Sequence, residues 1–501
     1  MLPVDESPDV LLIMCDQLSA NVLSCYGGPV TTPNLDRLAD QSVRFTNATC
    51  PAPFCTPSRA SLLTGLYPHT HGIVYNVMIR DYPEGPRDHA ETIEEGLTNE
   101  DVTTDSLLHA AGYDTHHYGK WHLQGEDLTC HADPFREFPH YQDQMRAVFD
   151  RVRQKSPSQW MNWYGLALPV TVSDPVQRAV AAVGEDWRPS NITEHIRKIG
   201  RLELPMKQVF DVQVADRTIA ALQRRGDAPF MITCSFLWPH DPNVVPSPYY
   251  EMFDPDQIKL PANYEQFEPR FETDKVRRFV ADLGEPVLRE FMRIYYGCVR
   301  LIDDQVGRIL DALDASGQAE NCIVVFLADH GDLCGGHGML WKSHRVFYEE
   351  LVHVPLMIRY PRHIAPSVNA NAIGLTDIMP TLLDLTGQSI PEHVQGRSVA
   401  PHLLGGSDIE DIPAFQFCEN LVDHDGPRRR IQPHAPADLM VRGQGWKYIR
   451  YANDEEMLFD LVNDPGETRN LSHDPKAQTS KQRLATELNT WLNTSQYPGW
   501  P

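Results

Sequence analysis

Short apolar runs rich in β-branched and aromatic residues alternate with amphipathic helical stretches, and this alternation constrains the fold of the chain most strongly. A chain that alternates strands and helices builds a sheet whose faces are covered by helices. The sequence therefore predicts the α/β class, with a large, mostly parallel or mixed central sheet flanked by helices. The clearest predicted strands are DVLLIMCD (9–16), YDTHHYGK (113–120), FMITCSFLW (230–238), NCIVVFLADH (321–330) and VPLMIRYP (354–361).

The sequence pattern changes after residue 406. The chain has 501 residues, which is more than one hydrophobic core usually covers. PADLMVRGQGWKYIRYANDEEMLFDL alternates like an antiparallel meander, and KAQTSKQRLATELNTWLNT has the pattern of an amphipathic helix. We therefore expect a large α/β domain over 1–406 and a smaller α+β domain, an antiparallel sheet plus a helix, over 407–501. The segment 124–225 shows little clean period, and we expect it to be a helical insertion in the first domain.

The charge of the chain limits its partners. Its 44 Lys and Arg residues stand against 68 Asp and Glu residues, which gives a formal net charge of −24. Such a field repels nucleic acid and anionic membrane surfaces, so we expect neither as a partner. An anionic substrate would need a local basic pocket.

Apolar runs and cysteines indicate the compartment. No run of about 18 apolar residues occurs, so we expect no transmembrane helix. MLPVDESPDVLLIMCDQ carries acidic residues before its apolar run and no cleavable small-residue site, so we expect no signal peptide. The ten cysteines, several of them inside apolar runs, are typical of reduced, packed thiols. We expect a cytoplasmic protein.

Polar residues stand where four of the predicted strands end. Ligands of open α/β sheets bind beyond the carboxyl ends of the strands, so these side chains are candidates for one site. Their oxygen and imidazole donors suit Ca²⁺, Mg²⁺ or Mn²⁺ better than a thiolate-rich zinc site does. Spacing alone leaves open the alternative that they are ordinary loop and cap residues. The residues are Asp16 and Gln17, Lys120 and His122, His240, and Asp329 and His330.

The stretch PAPFCTPSRASLLTG contains a cysteine, Cys55, with no neighbouring histidine and no second cysteine at C-x-x-C spacing. Pro57, Ser58 and Arg59 follow, and CTPSRASLLTG resembles the signature of the type I, formylglycine-dependent sulfatases of the alkaline phosphatase superfamily. The resemblance implies that a formylglycine-generating enzyme oxidises Cys55 to Cα-formylglycine, whose hydrate is the nucleophile. Pro57 and Arg59 would belong to the tag that this enzyme recognises. Arg59 would later hold the hydrate by charge-assisted hydrogen bonds.

The resemblance extends over nearly the whole chain apart from 124–225. Similar segments follow in the family's order: CYGGPVTTPNLDRLADQSVRFTNA, GLYPHTHG, YGKWHLQG, SFLWPHDP, LADHGDLCGGHGMLWKSHRVFYEELVHVPLMIRYP and MLFDLVNDPGETRNL. The family implies one divalent cation, Ca²⁺ or Mn²⁺, bound by Asp16, Gln17, Asp329, His330 and the modified Cys55. It implies substrate contacts from Asn76, Lys120, His240 and Lys342.

The resemblance also implies catalytic roles. Lys120 and Lys342 would neutralise the sulfate oxygens, where negative charge develops in the transition state. His240 would protonate the leaving alkoxide or phenoxide. His122 would take the proton of the second hydroxyl when sulfate is expelled.

Two positions depart from the common sulfatase pattern. Many sulfatases carry Asp-Asp at the first strand end and Asp-Asn at the fourth, but here Gln17 and His330 replace the second residue of each pair. Together the two changes lower the negative charge around the cation and offer a nitrogen donor, which favours Mn²⁺ over Ca²⁺. A similar Gln and His pair occurs in the related phosphonate monoester hydrolases, whereas Lys120, Trp121 and His122 match ordinary sulfatases.

Three functions follow from these patterns. The leading expectation is a sulfuric ester hydrolase that cleaves a small organic sulfate, aryl or alkyl. The alternative within catalysis is a phosphonate monoester or phosphodiester hydrolase on the same scaffold. A non-catalytic oxyanion-binding relative is disfavoured, because binding alone would not need both His122 and His240. Analogy with the family favours a homo-oligomer.

Overall fold

The computed structural model gives the fold of most of the chain, and every structural statement below concerns the residues that it describes. Among them, no helix is both long enough and apolar enough to cross a membrane. The described residues are 7–74, 76, 96–123, 160–163, 166–183, 199–224, 226, 228–266, 281–343, 345–406, 414–420 and 437–497.

A seven-stranded mixed sheet forms the centre of the molecule, in the order β7-β2-β6-β5-β1-β4-β3. Four adjacent strands, β5-β1-β4-β3, are parallel, while β6 is antiparallel to both of its neighbours. Strands β1, β4 and β5 are buried along their entire length, as expected for strands with helices on both faces. The predicted fold class is therefore confirmed. The strands are β1 (Asp9–Asp16), β2 (Val43–Phe45), β3 (Asp114–Gly119), β4 (Phe230–Pro239), β5 (Cys322–Ala328), β6 (Leu356–Arg359) and β7 (Ser367–Asn369).

Helices pack against this sheet and complete the main core. The longest, α7, buries an apolar face along most of its length and packs against α6 and β4. Pro286 lies in its first turn, where a missing N–H costs no helical hydrogen bond. The helices are α1 (Pro33–Asp40), α2 (Cys55–Thr64), α3 (Pro68–His71), α4 (Thr104–Ala110), α5 (Asp174–Val183), α6 (Phe210–Gln223), α7 (Glu285–Ala315), α8 (Glu349–Val352), α9 (Ile378–Leu385), α10 (Ala400–Leu403) and α11 (Gln478–Thr494).

The carboxyl ends of the four parallel strands lie at one edge of the sheet. In register, Cys15 is opposite Ala328 of β5, and Asp16 is opposite Pro239 of β4. Gly119, the last residue of β3, is opposite Ser235 of β4. Because neighbouring parallel strands end together, the polar residues that follow them are brought to a common edge.

The C-terminal part forms the expected antiparallel sheet and helix. Its four strands are neighbours in chain order, and α11 packs against the two middle ones. The buried side chains of this second core include Val441, Tyr448, Leu488 and Trp491. The expected boundary at 407 stays a prediction, because 407–413 lie outside the described residues. The strands are β8 (Gln416–Asn420), β9 (Asp438–Gly443), β10 (Trp446–Arg450) and β11 (Glu456–Asp460).

Cross-strand packing in this smaller sheet is clearest in the middle of β9. Val441 is fully buried, and it pairs with Phe417 on β8 and with Tyr448 on β10. A β-branched side chain between two aromatic neighbours suits the pleated surface of a sheet, and α11 covers this face.

The segment 124–225 was expected to be a helical insertion, but its described residues form both strands and helices. Strands Trp160–Trp163 and Leu166–Val172 pair antiparallel, and Gly200–Leu202 and Val244–Pro246 complete a second four-stranded sheet. The strand LALPVTV contains a proline and ends in three β-branched residues, a composition that suits a strand better than a helix. The helices α5 and α6 also fall in this segment, and 124–159 lie outside the described residues.

Candidate active site

Helix α2 places Cys55 at the carboxyl edge of the central sheet. Phe54 precedes the helix in an extended conformation, and Gly65 ends it with φ of 67°, the left-handed conformation that glycine adopts without strain. The Ser58 hydroxyl donates to the carbonyl of Asp329 at 2.6 Å, which fixes the first turn against the end of β5. The helix is buried along its whole length, so Cys55 stands in a rigid setting.

The Cys55 thiol is chemically unlike the other buried thiols. Its sulfur lies 3.1 Å from Nζ of Lys342 and 3.2 Å from Nε2 of His330. Burial alone raises a thiol pKa, but the ammonium groups of Lys120 and Lys342 outweigh it and hold the pKa of Cys55 well below its usual value. Burial raises the pKa of Cys234 to about 12. Position 55 therefore favours an ionised sulfur, a good metal ligand.

Four fully buried donors surround the Cys55 position. One ligand atom from each of Asp16, Cys55, Asp329 and His330 lies within 4.8 Å of the others. Nδ1 of His330 donates to the carbonyl of Gly331 at 2.8 Å, which leaves the Nε2 lone pair facing the cluster. A backbone carbonyl in this role is the usual way to fix the tautomer of a metal-binding histidine.

Gln17 adds an oxygen whose direction is fixed by a second carboxylate. Its amide Nε2 donates to Oδ2 of Asp332 at 2.5 Å, while Oε1 accepts from Lys342 at 2.7 Å. Asp332 also accepts from the backbone of Cys334 and Trp341. Two carboxylates, an anchored amide oxygen and an imidazole of fixed tautomer fit a divalent cation, so the predicted ligands do come together.

Three cationic side chains lie in this cluster, two against its carboxylates and one against its sulfur. The guanidinium of Arg59 is fully buried; its Nε is 2.7 Å from Asp329, and its Nη2 is 3.6 Å from Asp16. The Lys120 ammonium also contacts Asp16. Lys342 contacts the Cys55 sulfur. Nη1 of Arg59 also donates to the carbonyl of Lys120 and to the hydroxyl of Ser235. The guanidinium therefore links the two aspartates to the carboxyl end of β3 and to β4.

The pKa values of the two predicted histidines, His240 and His122, are shifted in opposite directions. Nδ1 of His240 lies 2.9 Å from Oδ1 of Asp241 and donates to the Asp241 carbonyl at 2.8 Å. Burial and the two nearby lysines oppose protonation, but the Asp241 carboxylate prevails and raises the pKa of His240 to about 9. Burial and the Lys120 ammonium lower the pKa of His122, whose imidazole reaches the Cys55 thiol. A protonated and a neutral histidine thus flank one site, the arrangement that acid and base catalysis requires.

Backbone conformation at the site is strained at two predicted residues. Gln17 has φ of 64° and His122 has φ of 57°, in the left-handed region that few non-glycine residues adopt. Each of these two backbone conformations costs on the order of 1–3 kcal/mol, and such strain is concentrated at functional sites.

The remaining predicted residue, Asn76, accepts from the backbone N–H of Thr56 at 3.0 Å, beside the first turn of α2.

Sequence reasoning missed two carboxylates that orient predicted residues. Asp241 follows His240 directly in WPHDP, and Asp332 stands three positions after Asp329 in ADHGD. An acidic residue next to a candidate catalytic histidine was the available signal for Asp241. The contact from Asp332 to Gln17 spans 315 positions, and no local pattern indicates it.

Comparisons with known proteins agree with this geometry. Residues 8–388 match the family model described as Sulfatase, and residues 335–494 match the model described as N-sulphoglucosamine sulphohydrolase, C-terminal. The ulvan-active sulfatase of Formosa agariphila is 29% identical over 490 residues, which cover 97% of this chain and 81% of that protein. The arylsulfatase of Clostridium perfringens is 29% identical over 488 residues, covering 93% of this chain and 90% of the relative.

The fold is also similar to that of a solved structure. The phosphonate monoester hydrolase of Agrobacterium radiobacter superposes with a TM-score of 0.72 and 23% identity, covering 97% of this chain and 96% of that one. The resemblance in the sequence is confirmed, since the matched family model covers more than half of the chain. The chain therefore belongs to the sulfatase family of the alkaline phosphatase superfamily, and it is a sulfatase-type hydrolase.

Proposed function

We propose that this chain hydrolyses a small organic sulfate ester, with Cα-formylglycine at position 55 and a divalent cation at the Asp16 and Asp329 cluster. The observation that carries the proposal is the position of Cys55. It begins a buried helix inside the tag CTPSR, belongs to a cluster of four potential metal ligands, and contacts Lys342.

The residues around position 55 fit the charge changes of the reaction. A hydrated aldehyde at 55 supplies an oxygen nucleophile, and the cation supplies positive charge to polarise the sulfate. Lys120 and Lys342 bind the peripheral sulfate oxygens, where negative charge accumulates. His240 gives its proton to the alcohol oxygen as the S–O bond breaks, and the neutral His122 accepts a proton as sulfate leaves. One water is consumed overall, and the products are the alcohol and hydrogen sulfate.

Two of the proposed metal ligands, Gln17 and His330, indicate which cation binds and whether the substrate is a sulfur or a phosphorus ester. Gln17 contributes an amide oxygen in place of a carboxylate, and His330 contributes an imidazole nitrogen in place of an amide; an imidazole suits Mn²⁺ better than Ca²⁺. We therefore propose Mn²⁺, with Ca²⁺ as the alternative. The same two residues favour a phosphonate monoester or phosphodiester as the second candidate substrate, because a less negative shell tolerates a different oxyanion.

The thiols of the described chain support a reducing compartment. Its nine cysteines are free, and all but Cys25 are buried. Free thiols in these numbers are typical of cytosolic proteins, so we propose a cytoplasmic location.

The test combines chemistry at position 55 with substrate comparison. The chain is coexpressed with a formylglycine-generating enzyme, and mass spectrometry of the peptide containing Cys55 should show the aldehyde. Turnover of the sulfate, phosphonate and phosphodiester of one phenol is then compared, with Cys55→Ala as the inactive control. Full turnover by an unmodified thiol would refute the mechanism, and a clear preference for phosphorus would make the second candidate the function.

A further inference from the structure

A second group of potential metal ligands lies apart from the catalytic cluster. One ring nitrogen of His337 and one carboxylate oxygen from each of Glu350 and Glu467 lie within 4.8 Å of one another. His337 is in the loop after β5, Glu350 is in α8, and Glu467 follows β11. The three residues are 1%, 9% and 3% exposed. The group therefore joins the large sheet to the C-terminal sheet in a nearly dry setting.

The imidazole of His337 has the tautomer and the open position of a metal ligand. Nδ1 donates to the carbonyl of Gln266 at 3.1 Å, so Nε2 carries the lone pair. Nε2 is buried, and it has no hydrogen-bond partner among the described residues. The ring stacks on Tyr348 with centroids 3.5 Å apart, which holds its plane. A buried acceptor without a donor is rare in folded proteins and points to a bound ligand.

The carboxylates near His337 are short of positive partners. Lys447 is 2.8 Å from Glu467, but it also holds Glu349 at 2.7 Å. Glu350 accepts the amide of Asn263 at 2.6 Å, and no lysine or arginine pairs with it in the described chain. A nearly buried carboxylate without a cation is costly, so a positive charge bound here would stabilise the cluster.

We propose that His337, Glu350 and Glu467 bind Zn²⁺ as a structural site separate from the catalytic cation. One imidazole nitrogen and two carboxylate oxygens are ligands that zinc accepts, and zinc binds mixed nitrogen and oxygen sites more tightly than Mn²⁺ does. The ion would tie the loop between Asp332 and Lys342, which carries His337, to the turn after β11. It thereby stabilises the loop that orients Gln17 and contacts Cys55.

Zinc counting on the full chain tests this site. The combined substitutions Cys55→Ala and Asp329→Asn remove the thiol and one carboxylate of the catalytic cluster and give the background protein. Each protein is dialysed against Zn²⁺ and measured by elemental mass spectrometry. We expect about one Zn²⁺ per chain in the background protein, and at least about tenfold weaker binding when His337→Asn or Glu467→Gln is added. Unchanged binding after either addition would overturn the proposal.

Two further readouts separate this site from the catalytic one. X-ray absorption of the zinc-loaded background protein should show nitrogen and oxygen ligands and no sulfur, because none of the three proposed ligands is a cysteine; a zinc–sulfur distance would contradict the assignment. Its Tm should rise with added Zn²⁺, and the rise should be lost with Glu467→Gln. Glu467→Gln keeps the shape of the side chain, so it decides the outcome if the His337 variant does not fold. If no zinc binds at this site, the proposed catalysis at Cys55 is not affected, because the two proposals are tested by different measurements.

Discussion

Replacing Asp241 by Asn should move the alkaline limit of activity to lower pH. The Asp241 carboxylate, 2.9 Å from Nδ1 of His240, raises the pKa of that histidine to about 9 from an ordinary 6.5. Asparagine keeps an oxygen acceptor but removes the charge, while burial, Lys120 and Lys342 continue to oppose protonation. The pKa of His240 should therefore fall to 6.5 or below.

The size of the effect follows from the fraction of His240 that carries a proton. The acid form is the active one, so activity is retained below the pKa and lost above it. At pH 8 about 90% of His240 is protonated with a pKa near 9, and about 3% with a pKa near 6.5, a ratio of about 30. At pH 6 the same calculation gives a loss of only about 1.3-fold. The variant should thus be nearly normal in acid and strongly impaired in mild alkali.

The assay is kcat/KM against pH for aryl sulfates with a good and a poor leaving group. A poor leaving group needs the proton of His240, so the loss at pH 8 should be larger for it than for an activated nitrophenyl ester. Asp256→Asn, at an exposed position, is the matched control. If kcat/KM falls at the same alkaline pH in the variant and in the unsubstituted protein, the proposed role of the Asp241–His240 pair is refuted.

Three further substitutions test the site and its support. Lys342→Ala should lower kcat/KM about 10²- to 10³-fold with the fold intact by circular dichroism, and a loss below tenfold would contradict its contact with the reacting group. Arg59→Ala removes the guanidinium that pairs with the buried Asp329, so chemical denaturation should show about 3–5 kcal/mol less stability; an unchanged midpoint would refute this. Gly119→Ala places a Cβ 1.9 Å from a backbone oxygen at φ of 98°, and it should cost more than about 1 kcal/mol. Gly112→Ala, at φ of 93° but with open space around it, is the control and should lower the Tm less.

The strand-end residues could be predicted because hydrophobic runs mark where strands stop. Asp16 ends a fully buried strand, Asp329 follows another, and Lys120 follows β3, which is only partly buried. Because parallel strands bring their ends to one edge, the residue types and the topology both indicated a common site. Lys342 differs, because it lies in a loop with no periodicity. Only the family resemblance placed it, and the structure shows it 3.1 Å from Cys55.

Other features depend on contacts that local patterns do not encode. Asp332 orients Gln17 across 315 positions. Strands β2 and β7 have three residues each, too few for an alternating pattern to be recognised. In the sheet within 124–225, the three-residue strand Gly200–Leu202 pairs with Leu166–Val172 and with Val244–Pro246, which lies outside the segment, so tertiary partners decided its structure.

The complete burial of α2 sets an order of events in biosynthesis. The Ser58 hydroxyl bonds to Asp329, which the ribosome adds 271 positions later, and the carbonyl of Gly65 accepts from the backbone of Gln395 and Gly396. Once those later segments have closed over the helix, a second enzyme has no route to the sulfur of Cys55. Under the proposed chemistry, Cys55 must be oxidised before the later segments fold over α2. The relative rates of oxidation and folding then set the fraction of chains that can become active.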